Sequence, residues 1–160
     1  MEFQNKIVLI TGAGSGIGRV TAHAFAKEGG TVIVSDINEK GGKETVQQIA
    51  DAGGTSIFIK TNVAKFEEVE NLIKQIVDKY GRLDVAINNA GIGGIPARTA
   101  ESTVDNWEKV MAVNASGVFY CMRQELQQMV KQGSGAIVNT ASIAGLRGLP
   151  NNLALSLIHI

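Results

Sequence analysis

Eight residues near the start of the chain could bind a phosphate group. They are Thr11-Gly12-Ala13-Gly14-Ser15-Gly16-Ile17-Gly18. An apolar run at residues 7–10 precedes them, and apolar residues at helical spacing follow from Ile17. A glycine turn between a strand and a helix lets the backbone approach a ligand closely, and it directs the free N–H groups of the helix start toward a negative charge. The motif alone is weak evidence, but its place between a predicted strand and a predicted helix strengthens it.

Asp36 lies 18 residues beyond Gly18, directly after the second apolar run. A carboxylate at this place can accept hydrogen bonds from a ribose 2′-hydroxyl, and it repels a 2′-phosphate. Neither Ser15 nor Ile37 carries the positive charge that a 2′-phosphate would require. The pattern therefore predicts NAD rather than NADP as the cofactor. The alternative is that Asp36 caps a helix or stabilises a loop.

Polar residues also follow the third and fourth predicted strands, at the sheet edge where parallel sheets bind ligands. Asn62 and Val63 follow the third strand and suit the edge and the face of an adenine ring; they could instead cap the next helix. The fourth strand is followed by Asn88-Asn89-Ala90-Gly91. Its small residues allow a close approach to a cofactor, although an ordinary turn has the same composition.

Strand-like and helix-like segments alternate along the chain. The predicted strands cover residues 7–10, 31–35, 56–60, 85–87 and 136–140. The predicted helices cover residues 17–27, 39–52, 66–80 and 102–131, the last bent near Asn114 and Gly117, and a glycine-rich loop covers about residues 89–101. This alternation predicts an α/β fold with one doubly wound parallel sheet covered on both faces.

Composition argues against several kinds of partner. The 160 residues suffice for one domain, and 15 Lys plus Arg balance 15 Asp plus Glu, so the charge does not favour nucleic acid or an anionic membrane. No apolar run is long enough for a membrane span, and the first residues lack the pattern of a signal peptide. The single Cys121 excludes an internal disulfide, and His23 and His159 lack metal-ligand spacing. We expect a cytoplasmic protein with a small-molecule ligand and no metal.

Four motifs occur in a characteristic order. They are the turn at residues 11–18, Asn88-Asn89-Ala90-Gly91, the segment with Val113-Asn114 and Gly117-Val118-Phe119, and the strand at residues 135–142 that ends in Ser142. In these motifs the chain resembles the single-domain branch of the short-chain dehydrogenase/reductase family, with its T-G-x-x-x-G-x-G turn, its N-N-A-G segment, its active-site Asn and its active-site Ser. The resemblance extends from about Lys6 to Asn152.

This resemblance implies a Rossmann-like fold and reversible hydride transfer between a nicotinamide and an alcohol or carbonyl compound. It implies that Ser142 hydrogen-bonds the substrate oxygen and that Asn114 holds a water in a proton relay. Without it, Ser142 is a strand-end serine and Asn114 a helix-bending amide bonded to nearby backbone. The candidate cofactor-binding residues are Gly12, Ser15, Gly16, Ile17, Gly18, Asp36, Ile37, Asn62, Val63, Asn89, Ala90 and Gly91. The family often assembles through its long helices, so we expect a homodimer or homotetramer contact at residues 102–131.

The end of the chain departs from the family pattern. The family has a Tyr as general acid/base and, four residues later, a Lys that lowers the Tyr pKa; here these positions hold Leu155 and His159. One explanation is a catalytically inactive relative. The other, which we favour, is that residues 155–160 are a non-native tail, because CTG TCT CTT ATA CAC ATC encodes them and matches a transposon end used as a sequencing adapter. We therefore expect residues 1–154 to be part of one domain whose last strands and helices are missing, in an inactive, marginally stable or aggregated chain.

Two other functions remain open. A binding module that senses a nicotinamide cofactor without catalysis would be consistent with native Leu155 and His159. Another nucleotide-dependent Rossmann enzyme, such as a methyltransferase, is disfavoured by the motifs at residues 88–91 and 140–142.

Overall fold

The computed structural model describes residues 1–148 and 150–158, and at its centre is a five-stranded parallel sheet. The strands are β1 (Ile7–Thr11), β2 (Thr31–Asp36), β3 (Thr55–Lys60), β4 (Val85–Asn88) and β5 (Ala136–Asn139). Their order across the sheet is β3-β2-β1-β4-β5. The helices are α1 (Gly16–Lys27), α2 (Glu39–Asp51), α3 (Phe66–Tyr80), α4 (Val104–Met111), α5 (Val118–Gln132) and α6 (Leu153–Ile158). This is the predicted Rossmann-like arrangement.

Alternation along β1 creates the two halves of the hydrophobic core. Val8 and Ile10 pack on one face of the sheet with apolar residues of α1 and α2, whereas Leu9 packs on the other face with residues of α3 and α5. All three side chains are fully buried, and each contributes about 2 kcal/mol by leaving water. The strand is therefore apolar from Ile7 to Ile10, and only its last residue, Thr11, is polar, because both of its faces are covered.

The element order confirms the predicted alternation, with ends that differ by one or two residues. Asp36 is the last residue of β2 rather than the residue after it. The long segment predicted at residues 102–131 is divided into α4, a π-helical segment at Ala112–Gly117 and α5. The two residues at which a bend was predicted, Asn114 and Gly117, thus lie within this π-helical segment, which changes the helical repeat.

The described part of the chain has one lightly covered side, formed by β5 and α5. Three of the four residues of β5 are exposed, and β5 is one of the two edge strands, the other being β3. On α5, Phe119, Leu126 and Val130 are exposed apolar side chains. Among the described residues, no helix combines the length and the apolar character needed to cross a membrane.

Candidate cofactor and substrate site

The glycine turn packs against its neighbours without space for side chains. A Cβ added to Gly18 would lie 2.2 Å from the Gly12 carbonyl oxygen, and a Cβ on Gly12 would lie 2.8 Å from the Ala90 Cα. Gly16 has a φ of +51°, and a Cβ added there would meet no atom within 4 Å. The turn is therefore closed toward the protein at Gly12 and Gly18 and open at Gly16, where α1 begins.

Thr11 connects the ends of β1 and β4. Its hydroxyl oxygen accepts hydrogen bonds from the backbone N–H groups of Asn89 and Ala90, both at 3.1 Å. The Asn89 side chain in turn donates to the carbonyl oxygens of Thr11, at 3.1 Å, and Gly12, at 3.3 Å. Thr11 was not among the candidate site residues, although its place at the end of an apolar strand and at the start of the motif marks it in the sequence.

The Asp36 carboxylate contacts the glycine turn directly. Its Oδ2 accepts from the Gly14 N–H at 2.8 Å, and its Oδ1 accepts from the Asn38 N–H at 2.8 Å. Asp36 thus stabilises a loop, as the alternative interpretation proposed. A carboxylate has about four lone-pair directions, so these two bonds leave acceptor capacity for a ligand.

Arg19 approaches the same turn from α1 and was not a candidate in the sequence. Its guanidinium donates to the carbonyl oxygens of Gly14 and Gly41, and its Nε donates to the Thr45 hydroxyl at 2.9 Å. The Thr45 hydroxyl donates to the Ala13 carbonyl oxygen at 2.9 Å. Asp36 and Arg19 therefore fix the N–H and the carbonyl of the same residue, Gly14.

One cleft of about 480 Å³ contains almost all of the candidate cofactor residues. Eleven of the twelve line it: Gly12, Ser15, Gly16, Ile17, Asp36, Ile37, Asn62, Val63, Asn89, Ala90 and Gly91. Thr61, Ile92 and Val113 line it as well. Gly18 is the exception, because it is buried against the Gly12 carbonyl and leaves no space there for a side chain.

Asn62 forms a turn before α3 rather than its cap. Its side-chain oxygen accepts from the Ala64 N–H at 3.1 Å, and its own N–H donates to the Glu68 carboxylate at 2.7 Å. The N-cap of α3 is Lys65, so the capping alternative is wrong. The hydrogen bonds from Asn62 and Lys65 lower the pKa of Glu68, so that Glu68 remains a charged carboxylate and a good acceptor.

A second cavity of about 210 Å³ adjoins the cleft and brings the two candidate catalytic residues together. Asn114 and Ser142 both line it, as do Val118 and Leu155. Residues 89–92 line both the cleft and this cavity. The two spaces are therefore neighbours that share one wall.

Ser142 and Asn114 are both oriented by backbone groups. The Ser142 hydroxyl oxygen accepts from the Ala144 N–H at 3.2 Å, which leaves its O–H free to donate elsewhere. The Asn114 oxygen accepts from the Ile92 N–H at 2.9 Å, and the Asn114 amide donates to the Ile92 carbonyl at 2.8 Å. Asn114 is thus bonded to backbone, as the alternative proposed, but to a loop 22 residues away rather than to its own helix.

Leu155 lies on α6 in the wall of the second cavity, so the departure from the family pattern falls inside this site. His159 lies outside the described residues. Neither Tyr80 nor Tyr120 lines the cleft or the second cavity. Tyr120 instead packs edge-on against Phe66, with ring centroids 5.5 Å apart.

In the described part of the chain, no three His, Cys, Asp or Glu side chains group as metal ligands would.

Comparisons with known proteins agree with this geometry. A family model described as short chain dehydrogenase matches residues 6–156. An uncharacterized oxidoreductase of Thermotoga maritima is 47% identical over 98% of this chain and 61% of its own length. A cyclohexanol dehydrogenase of Acinetobacter sp. strain SE19 is 45% identical over 94% of this chain and 60% of its own length.

Among solved structures, NAD+-bound xylitol dehydrogenase superposes with a TM-score of 0.96 at 31% identity, over 99% of this chain and 61% of that one. The chain therefore spans about three fifths of the length of these relatives. Since the family model covers nearly the whole sequence and includes every motif of the cleft and the second cavity, the chain belongs to the short-chain dehydrogenase family.

Proposed function

We propose that this chain forms the NAD(H) site of an oxidoreductase that transfers a hydride between NAD(H) and an alcohol or carbonyl compound. The observation that carries the proposal is the continuity of the cleft with the second cavity through residues 89–92. One space contains the glycine turn and Asp36, and the adjoining space contains Ser142 and Asn114. A cofactor extended along the cleft would reach the second cavity.

Several properties of the cleft fit a dinucleotide. No side chain in the described part of the chain caps the N-terminus of α1, so the first N–H groups of that helix suit a pyrophosphate. Asn62 and Val63 would contact the adenine, with the exposed side chain of Ile37 on the same cleft wall. Residues 89–91 would contact the nicotinamide half.

Asp36 supports NAD over NADP. Its carboxylate lines the cleft and is anchored by the Gly14 and Asn38 N–H groups, so it cannot easily turn away from a ligand. A 2′-phosphate placed beside it would meet like charge, whereas a 2′-hydroxyl can donate to it. Arg19 is the nearby cation, but its guanidinium is bonded to backbone carbonyls on the side of α2.

Bound NAD supplies the hydride acceptor, and the residues of the chain orient the substrate. Ser142 would donate its free O–H to the substrate oxygen and stabilise charge that develops there. Asn114 would retain one N–H and one lone pair for a water beyond its two bonds to Ile92. Leu155 offers no proton to transfer, and in the described residues neither the cleft nor the second cavity is lined by Tyr or Lys. We infer that the 160-residue chain binds NAD without turning over substrate.

A non-catalytic NAD-binding module is the second candidate, and the presence of Leu155 beside Ser142 and Asn114 favours it. The source DNA separates the two candidates. Tyr and Lys codons at positions 155 and 159 would support the oxidoreductase and the non-native tail, whereas Leu and His codons there would support the binding module.

Calorimetric titration with NAD+ and NADP+ tests the cofactor proposal. We expect the chain to bind NAD+ at least tenfold more tightly than NADP+, because a like-charge contact with the partly buried Asp36 costs on the order of 1–3 kcal/mol. In Asp36→Ser this preference should shrink or reverse, since the variant lacks the negative charge. Glu39→Ser removes an exposed carboxylate three residues away and is the matched control. Equal affinity of the unaltered chain for both cofactors would contradict the assignment of Asp36.

A further inference from the structure

A buried pair of polar side chains lies beneath the wall that the cleft and the second cavity share. Glu125 of α5 is fully buried, and Asn88, the last residue of β4, is 3% exposed. The Asn88 amide donates to Glu125 Oε2 at 2.9 Å and to the Asn139 side-chain oxygen at 3.0 Å. The pair therefore connects α5 to the ends of β4 and β5.

This pair adjoins both halves of the site along the chain. Asn88 is followed directly by Asn89, whose N–H and side chain bind Thr11. Asn139 pairs with Asn88 in the sheet register, and the Thr140 N–H donates to the Asn88 carbonyl at 2.9 Å. Ser142 follows two residues later. Movement of Asn88 would thus displace the turn at residues 89–91 (the cofactor turn) and the start of the Ser142 loop together.

The environment of Glu125 is unusual for a carboxyl group. Among the described residues, neither Glu125 Oε1 nor Asn88 Oδ1 has a hydrogen-bond partner, and Glu125 takes part in no ion pair. Cys121 lies one turn earlier on α5 and is also buried, and burial together with Glu125 raises the pKa of its thiol. An ionised carboxylate in these surroundings would be costly, whereas a neutral one has an O–H to donate. Burial accordingly raises the pKa of Glu125 to about 7.

We propose that Glu125 is a positioning residue that acts through Asn88 to fix the cofactor turn at residues 89–91 and its distance from Ser142. The proposal rests on the function proposed above, since that function gives the turn its ligand. A hydrophobic residue of similar volume would suit the core of this layer equally well, because buried polar pairs often stabilise no more than apolar replacements. Fold stability alone therefore does not account for a carboxyl group at this position.

Glu125→Met tests the proposal because it keeps the volume and removes the hydrogen bond. We expect its melting temperature to equal or exceed that of the unaltered chain, while its affinity for NAD+ falls about tenfold. Amide hydrogen exchange at residues 88–91 should become about tenfold faster. Glu125→Gln mimics the neutral carboxyl group and should restore both values to within twofold. Met129→Leu is the control. Met129 is buried on the same helix, beside Gly135 at the other end of β5, and its substitution should change neither the NAD+ affinity nor the exchange rates at residues 88–91.

The outcomes separate this proposal from the one on which it rests. If Glu125→Met binds NAD+ and exchanges like the unaltered chain, Glu125 has no positioning role. If the unaltered chain does not bind NAD+, the proposed function is wrong, and the exchange rates at residues 88–91 still decide whether Glu125 orders the turn. Equal acceleration of exchange across all of α5 and β4 in Glu125→Met would indicate general loosening and would also overturn the proposal.

Discussion

At the scale of single residues, the glycine turn at residues 11–18 is prepared for a ligand by bonds from opposite sides. Asp36 binds the N–H of Gly14, Arg19 binds its carbonyl, and Thr11 binds the N–H groups of the neighbouring turn at Asn89 and Ala90. A turn that is already ordered loses little conformational entropy when it binds. The partners of the turn are therefore as important to affinity as the glycines themselves.

Glu125 gives a prediction about stability and pH at this scale. Burial raises its pKa from 4.5 to about 7. Between these values the unfolded chain has lost the proton and the folded chain retains it, so the unfolding free energy contributed by this group falls as pH rises from 4.5 and reaches its minimum above pH 7. The full loss is at most about 3 kcal/mol. Glu125→Gln has no proton to lose.

Urea unfolding of both proteins at several pH values measures this effect. The stability of Glu125→Gln relative to the unaltered chain should increase steadily from pH 4.5 to pH 7 and then stay constant to pH 8. Taking the difference between the two proteins cancels the other carboxyl groups, including Asp84, whose pKa is lowered. A difference that does not vary with pH would show that Glu125 titrates normally.

Which residues could be predicted from the sequence depended on whether their partners were local. Asp36 and residues 89–91 follow strands directly, and parallel strands end at one edge, so their meeting in one cleft was predictable. Arg19 acts on Gly41 and Thr45, which are more than 20 residues away, and Glu125 meets Asn88 across 37 positions. No local pattern marks such pairs, because helix rotation and sheet register decide them.

At the scale of elements, the contact between α1 and the glycine turn determines the shape of the cleft. Gly18, in the first turn of α1, lies directly against the Gly12 carbonyl, and no side chain fits between them. A similar approach joins α2 to the turn, where a Cβ on Gly41 would lie 2.6 Å from the Gly14 carbonyl oxygen. Two helices thus contact one turn through glycines.

Gly18→Ala should therefore disrupt both folding and cofactor binding. The new methyl group would force the Gly12 carbonyl away, at a cost of about 3 kcal/mol, which corresponds to a melting temperature lower by about 10 °C. Gly53→Ala is the control, because Gly53 has a φ of +79° but open space around its Cβ position. It should cost about 1 kcal/mol and leave NAD+ affinity unchanged. Melting curves with and without NAD+ compare the two, and equal effects would contradict the close packing of α1.

The long segment at residues 102–131 shows where periodicity fails to predict an element. An interruption of the α-helix near Asn114 and Gly117 was predictable from their poor helix propensity, but its form, a π-helical segment, was not. Within this segment Asn114 forms two hydrogen bonds to Ile92, 22 residues away, a tertiary contact that periodicity along the chain does not reveal. Asn114 of the π-helical segment lines the second cavity. An uninterrupted α-helix would turn its side chain to a different direction.

At the scale of the whole molecule, the two faces of the sheet differ in what covers them. The face with α1 and α2 is closed by a contiguous apolar cluster. The opposite side presents exposed apolar residues on α5, among them Phe119 at 61% and Val130 at 76% exposure, beside the exposed edge strand β5. Exposed apolar side chains beside an exposed strand edge favour association with another protein surface.

We expect this side of α5 to drive self-association of the chain, within the segment at residues 102–131. The double variant Phe119→Lys and Val130→Lys puts charge on the exposed surface without entering any of the three core clusters, so it should shift the chain toward the monomer. Val20→Lys, at a side chain that is 69% exposed on α1, is the control and should leave the distribution unchanged. Sedimentation velocity over a concentration series measures the distribution directly. A monomeric unaltered chain at every concentration would contradict the prediction, and so would equal dissociation in the Val20 control, because charge alone would then explain the effect.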